Sequence, residues 1–74
     1  MELVIDGIII EDAEILSKVD ELLLKDKALK DSTILDYDKA YDLALAYEEL
    51  ESLLLEKMGI EKDFLELVKI IEKK

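Results

Sequence analysis

Residues 36–58 read DYDKAYDLALAYEELESLLLEKM, and this stretch separates apolar side chains from carboxylates around one long helix. At about 100° per residue, Ala40, Leu43, Tyr47, Leu50, Leu54 and Met58 share one side, whereas Asp38, Asp42, Glu49, Ser52 and Glu56 share the other. One side is predicted to face a core and the other to face water as an acidic ridge.

Working outward, Gly59 suits the left-handed position that ends a helix, and Ile60 can make the accompanying apolar contact. A third helix is predicted over 61–72, with Phe64, Leu67, Val68 and Ile71 inward. Upstream, Asp31, Ser32 and Thr33 interrupt the periodicity, and Ser32, Asp36 or a residue between them caps the long helix. Before them, Asp12 is the expected N-cap of a helix over 12–29 whose apolar side is Ile15, Leu16, Val19, Leu22 and Leu23. The acid-first pairs Glu14/Lys18, Glu21/Lys25 and Asp26/Lys30 lie four residues apart and are expected to neutralise one another.

Residues 2–11, ELVIDGIIIE, form two β-branched runs joined by Asp6-Gly7, the pair that favours a two-residue type I′ turn. The resulting register pairs Leu3 with Ile10, Val4 with Ile9 and Ile5 with Ile8. Leu3, Ile5, Ile8 and Ile10 then share one face, and Val4 and Ile9 share the other with Glu2 and Glu11. The expected architecture is α+β, mostly α: a short N-terminal β-hairpin followed by three amphipathic helices, in a single domain over residues 1–74.

Seventy-four residues is near the size at which one core supplies only about 3–5 kcal/mol of net stability. The chain is 51% hydrophobic and 41% charged, leaving three Ser, one Thr and two Gly as its neutral small residues. So apolar a chain is expected to fold despite its formal charge of −10. Asn, Gln, Arg, His, Pro, Cys and Trp are all absent. Without His and Cys, the common zinc, haem and iron–sulfur sites, thiol nucleophiles and disulfides are excluded, and no metal or other cofactor is expected. No apolar run reaches membrane-spanning length and MELVIDG has no basic region, so a cytoplasmic protein without membrane contact is expected. The negative balance also disfavours direct contact with nucleic acid.

The charge is uneven. Residues 36–56 hold seven acids and one lysine, whereas residues 57–74 hold four acids and five lysines, including Lys73 and Lys74 at the end of the last helix. The long helix is therefore the negative element. Asp36 and Asp38 match the first and third positions of a calcium loop. The pattern fails at Tyr41, where the turn needs glycine, and at Tyr47, where a bidentate Glu belongs. Asp38/Asp42 and Glu48/Glu49 could supply paired carboxylates for acid–base chemistry, but nothing in their surroundings predicts the desolvated pocket such chemistry needs. No enzyme is expected.

A protein-binding role is expected instead. From Asp38 to Glu56 the ridge spans about 27 Å, long enough for the basic groove of a nucleic-acid-binding protein. A DNA strand of that length carries about eight phosphates; this ridge is sparser and Leu45 interrupts it. Asp38, Asp42, Glu49 and Glu56 are the expected electrostatic contacts of a partner with a basic surface. Tyr47 belongs to the core. Tyr37 and Tyr41 lie towards the boundary of the two faces, where tyrosines are ordinarily half-buried, and they are the best aromatic candidates for anchoring a partner. The expected class is a small inhibitor or adaptor of the viral or mobile-element kind.

The alternative is a structural homo-oligomer or assembly subunit whose acidic surface only keeps it dissolved. Val4, Ile9, Leu24, Leu45, Leu53 and the Ile34–Leu35 pair are left outside the main stripes. A homodimer is expected under either reading, with Val4 and Ile9 as the self-association residues and edge-to-edge pairing of two hairpins as its form.

Overall fold

A computed structural model describes residues 3–31 and 36–72. The expected roles of Glu2, Ser32, Ile34, Leu35, Lys73 and Lys74 fall outside the described residues. Strands β1 (Leu3–Ile5) and β2 (Ile8–Ile10) are followed by helices α1 (Ala13–Lys30), α2 (Tyr37–Met58) and α3 (Phe64–Glu72). The fold is mostly helical with a small β part, as the residue pattern predicts.

The hairpin has the predicted register, Leu3 opposite Ile10, Val4 opposite Ile9 and Ile5 opposite Ile8. Its turn places Asp6 at φ 54° and Gly7 at φ 77°, the two left-handed residues that a type I′ turn requires. Leu3, Ile5 and Ile10 are buried as expected. Ile8 departs from the expectation: next to the turn, it stays 45% exposed while its partner Ile5 is 2% exposed. The packed layer stops short of the hairpin tip, which Lys62 braces from outside with an ion pair to Asp6 at 3.0 Å.

Side-chain caps set the helix starts. Asp12 Oδ1 accepts from the Glu14 and Ile15 N–H groups at 2.9 and 3.1 Å, and Asp36 Oδ1 accepts from the Lys39 N–H at 3.1 Å. α2 ends at Gly59, φ 66°, whose N–H donates to Leu55 O at 3.1 Å. The chain then turns Ile60 into the core. α3 begins at Phe64, three residues later than predicted, because the Asp63 carboxylate accepts from the Glu66 N–H at 2.9 Å and makes residue 63 the cap.

Among the described residues, thirteen form the core, every one apolar or tyrosine, and no charged side chain is buried. α1 contributes Ile15, Val19 and Leu22, α2 contributes Ala46, Tyr47, Leu50 and Leu54, and α3 contributes Leu67 and Ile71. Burying each of the larger aliphatic side chains stabilises the fold by about 1.5–3 kcal/mol. The buried stripe of α2 is turned towards Ala46 relative to the prediction. Met58 consequently stays 37% exposed and Ala40 is only half-buried. Phe64 is partly exposed and closes the edge of the core by meeting Tyr47 edge-on, with ring centroids 5.2 Å apart.

Candidate protein-docking surface

α1 and α2 run antiparallel. Lys18 pairs with Glu49 and Lys25 pairs with Asp42, so seven residues forward on α1 match seven back on α2. The Lys25–Asp42 distance is 2.8 Å. Glu21 lies between the two lysines, 2.7 Å from Lys18 and 3.6 Å from Lys25. The Glu21 and Glu49 carboxylates hold the Lys18 pKa above its ordinary value, Asp42 chiefly does the same for Lys25, and Lys18 in turn lowers that of Glu21.

This seam corrects the expected acidic ridge. Asp38, Asp42, Glu49 and Glu56 are all exposed. Two of them nevertheless meet lysines of α1, so the ridge is not free of neighbouring cations. The predicted Glu14/Lys18 pair is replaced as well: Glu14 pairs with Lys57 at 2.9 Å, and Lys57 also reaches Asp12 at 3.4 Å. Glu21/Lys25 and Asp26/Lys30 do pair, the latter at 3.0 Å. Among the described residues, Asp38, Glu48 and Glu56 have no ion-pair partner.

The tyrosines also depart from expectation. Tyr37 is 77% and Tyr41 68% exposed, so neither closes the edge of the core. With Leu45 and Leu55, which are also exposed, they fall within an arc of about 80° on α2. The helix thus carries two apolar stripes, one buried and one facing out, and the second was hidden in the sequence because Leu45 reads there as an interruption of the acids. Its outward position follows from the rotation of the core towards Ala46.

Between α1 and α2 lies an open groove of about 850 Å³. Leu45 and Leu53 supply its apolar lining, Glu14, Glu21, Glu48 and Glu49 its carboxylates, and Lys18 its one ammonium, with Ser17 and Ser52 completing the walls. Among the described residues no group of His, Cys, Asp or Glu is placed to hold a metal ion.

The other expected contact residues lie on the hairpin. Val4 and Ile9, opposite one another in the register, are 46% and 56% exposed on the outer face. Leu24 is exposed too, whereas Leu53 packs against the core and leaves the surplus predicted from sequence. No described helix is long and apolar enough to cross a membrane.

No protein-family model matches the chain, and neither a curated protein nor a solved structure matches it.

Proposed function

We propose that this chain is a non-enzymatic, acidic protein-binding module that docks α2 on a basic surface of a larger protein in the cytoplasm, as an inhibitor or adaptor of the viral or mobile-element kind. The observation that carries the reading is the outward stripe of α2. Two tyrosines, each more than two-thirds exposed, align there with Leu45 and Leu55 beside the unpaired Asp38, Glu48 and Glu56. Aromatic bodies with polar tips are efficient anchors, and nearby carboxylates steer a cationic partner towards them. Asp38 and Glu56 are the electrostatic contacts of this proposal, and Tyr37 and Tyr41 its anchors. Asp42 and Glu49 have a divided role, because each must share its charge with a lysine of α1.

The test begins with affinity capture from the cells that make the protein, eluted with graded salt, followed by calorimetry on the purified partner. Asp38→Lys with Glu56→Lys is expected to weaken binding at least about ten-fold and to flatten its salt dependence. Tyr37→Ala with Tyr41→Ala is expected to weaken it comparably while leaving the salt dependence intact. Unchanged affinity in both double variants would sink the proposal.

The hairpin supports a second reading, a homodimer formed through Val4 and Ile9. Their exposure on one face of a two-stranded sheet motivates it, since such a sheet presents unpaired strand edges. Light scattering that shows a monomer at every concentration, with a melting temperature independent of concentration, would remove it.

A further inference from the structure

The geometry points to a specific occupant of the α1–α2 groove: a basic amphipathic helix of a partner protein. The inference rests on the reading of the chain as an acidic docking module and names what that module receives.

The charge of the seam favours this occupant. The seam carries six carboxylates, those of Asp12, Glu14, Glu21, Asp42, Glu48 and Glu49, against three ammonium groups, those of Lys18, Lys25 and Lys57. Each of these lysines already serves two acids, and Glu48 has no ion-pair partner among the described residues. The seam therefore has carboxylates to offer and no cation to spare. A second copy of this chain would bring like charge against like, whereas lysines or arginines on the flanks of an incoming helix would find acids on both walls.

The shape of the groove favours it too. Leu45 and Leu53 lie eight residues apart on α2, so the apolar lining runs about 12 Å, matching two turns of an apolar helix stripe. A furrow between two antiparallel helices takes a third by the ridge-and-groove packing that joined the first two. A strand laid there would meet only side chains and leave its backbone N–H and C=O groups without a ladder. The contact is short, which places it among weak, reversible interfaces.

The probe is a synthetic 18-residue helix with leucines at i, i+3, i+4 and i+7 and lysines elsewhere, titrated into the isotope-labelled full chain and followed by amide chemical shifts. A peptide of the same composition in scrambled order, unable to form an apolar stripe, is the control. The expected result is saturable shifts at Ser17, Leu45, Glu48, Ser52 and Leu53, with the scrambled peptide at least about ten-fold weaker. Ser17→Arg and Ser52→Arg each project a cationic side chain into the groove from an opposite wall, and each is expected to weaken the helix by a similar factor. Leu65→Ser, on α3 and away from the groove, is expected to leave binding unchanged. Equal affinity for the scrambled peptide, or no saturable shift at all, overturns the inference. Shifts confined to Tyr37, Asp38 and Glu56, with Ser17→Arg at full affinity, overturn the groove while leaving the docking surface of α2 standing.

Discussion

Leu54 and Leu55 are adjacent on α2, yet Leu54 is fully enclosed and Leu55 is 53% exposed. The same contrast runs the length of the helix: Tyr47, Leu50 and Leu54 are buried, whereas Tyr37, Tyr41, Leu45 and Leu55 face out. It has an electrostatic counterpart. Asp42 and Glu49 meet lysines of α1, and Asp38 and Glu56 meet none among the described residues. Residue type alone therefore does not say what a side chain on α2 is available to do. The neighbouring helix decides which leucines are core and which carboxylates carry uncompensated charge.

Substitution at the two leucines is the hardest test of this contrast. Leu54→Ala is expected to cost about 2–5 kcal/mol, comparable to the whole stability of a domain this small. Leu55→Ala is expected to change stability by less than about 0.5 kcal/mol, both read from urea midpoints. Equal losses would abolish the distinction between the stripes.

The end of α2 is the next place to press. Gly59 sits at φ 66° with open space where a Cβ would project, so Gly59→Ala carries backbone strain without a clash. A loss of about 1–2 kcal/mol is expected in the same denaturation experiment. No loss would mean that α2 ends in some other way and that its two stripes are not held in the orientation described. Asp63→Ala removes the cap of α3, the helix whose Phe64 holds Tyr47 on the buried stripe, and a loss of about 1 kcal/mol is expected.

The paired charges also give the stability a dependence on pH. Asp12 has its pKa lowered, first by the Ile15 N–H, and Glu21 has its pKa lowered, first by Lys18. Depressed carboxyl groups contribute stability that is present above their unfolded-state values and lost as pH falls through the folded ones. Lys18, Lys25, Lys57 and Lys62 are raised by their carboxylate partners, and Tyr47 is raised, first by burial. Their contribution is complete below the unfolded-state values and lost as pH rises through the folded ones. Urea midpoints are therefore expected to hold level from about pH 5 to 9 and to fall on either side. A midpoint that climbs on acidification below about pH 4 would mean that repulsion among acids outweighs the seam.

The smallest effect separates the two kinds of carboxylate. Asp42→Asn is expected to lower the melting temperature slightly, with the difference erased at about 1 M salt, whereas Asp38→Asn has no ion pair to lose. An Asp38 variant as destabilised as the Asp42 variant would show that helix-terminal dipole effects, not the seam, govern these acids.

Local chemistry made most of the fold readable in advance. The Asp6-Gly7 turn between two β-branched runs defines the hairpin register, and Asp12 and Gly59 mark helix ends through bonds to their own neighbours. α3 starts at Phe64 rather than at residue 61 because the Asp63 carboxylate accepts from the Glu66 N–H, a cap that the apolar periodicity does not mark. The docking surface was less legible for a physical reason: Lys25 and Lys18 reach acids 17 and 31 residues away, contacts that no local periodicity encodes. Likewise, periodicity places Tyr37 and Tyr41 near a boundary between faces, but only the packed core shows on which side of that boundary water begins.

The enclosed side chains of α1 contain no hydrogen-bonding group, and against them α2 sets only aliphatic side chains and Tyr47. Such greasy surfaces resist separation far more than they resist sliding. The Lys18–Glu49 and Lys25–Asp42 contacts stand two helical turns apart and act as paired detents, since a shift of one turn unseats both together. On this account the polar seam contributes little to holding the two rods together and much to choosing the notch in which they rest.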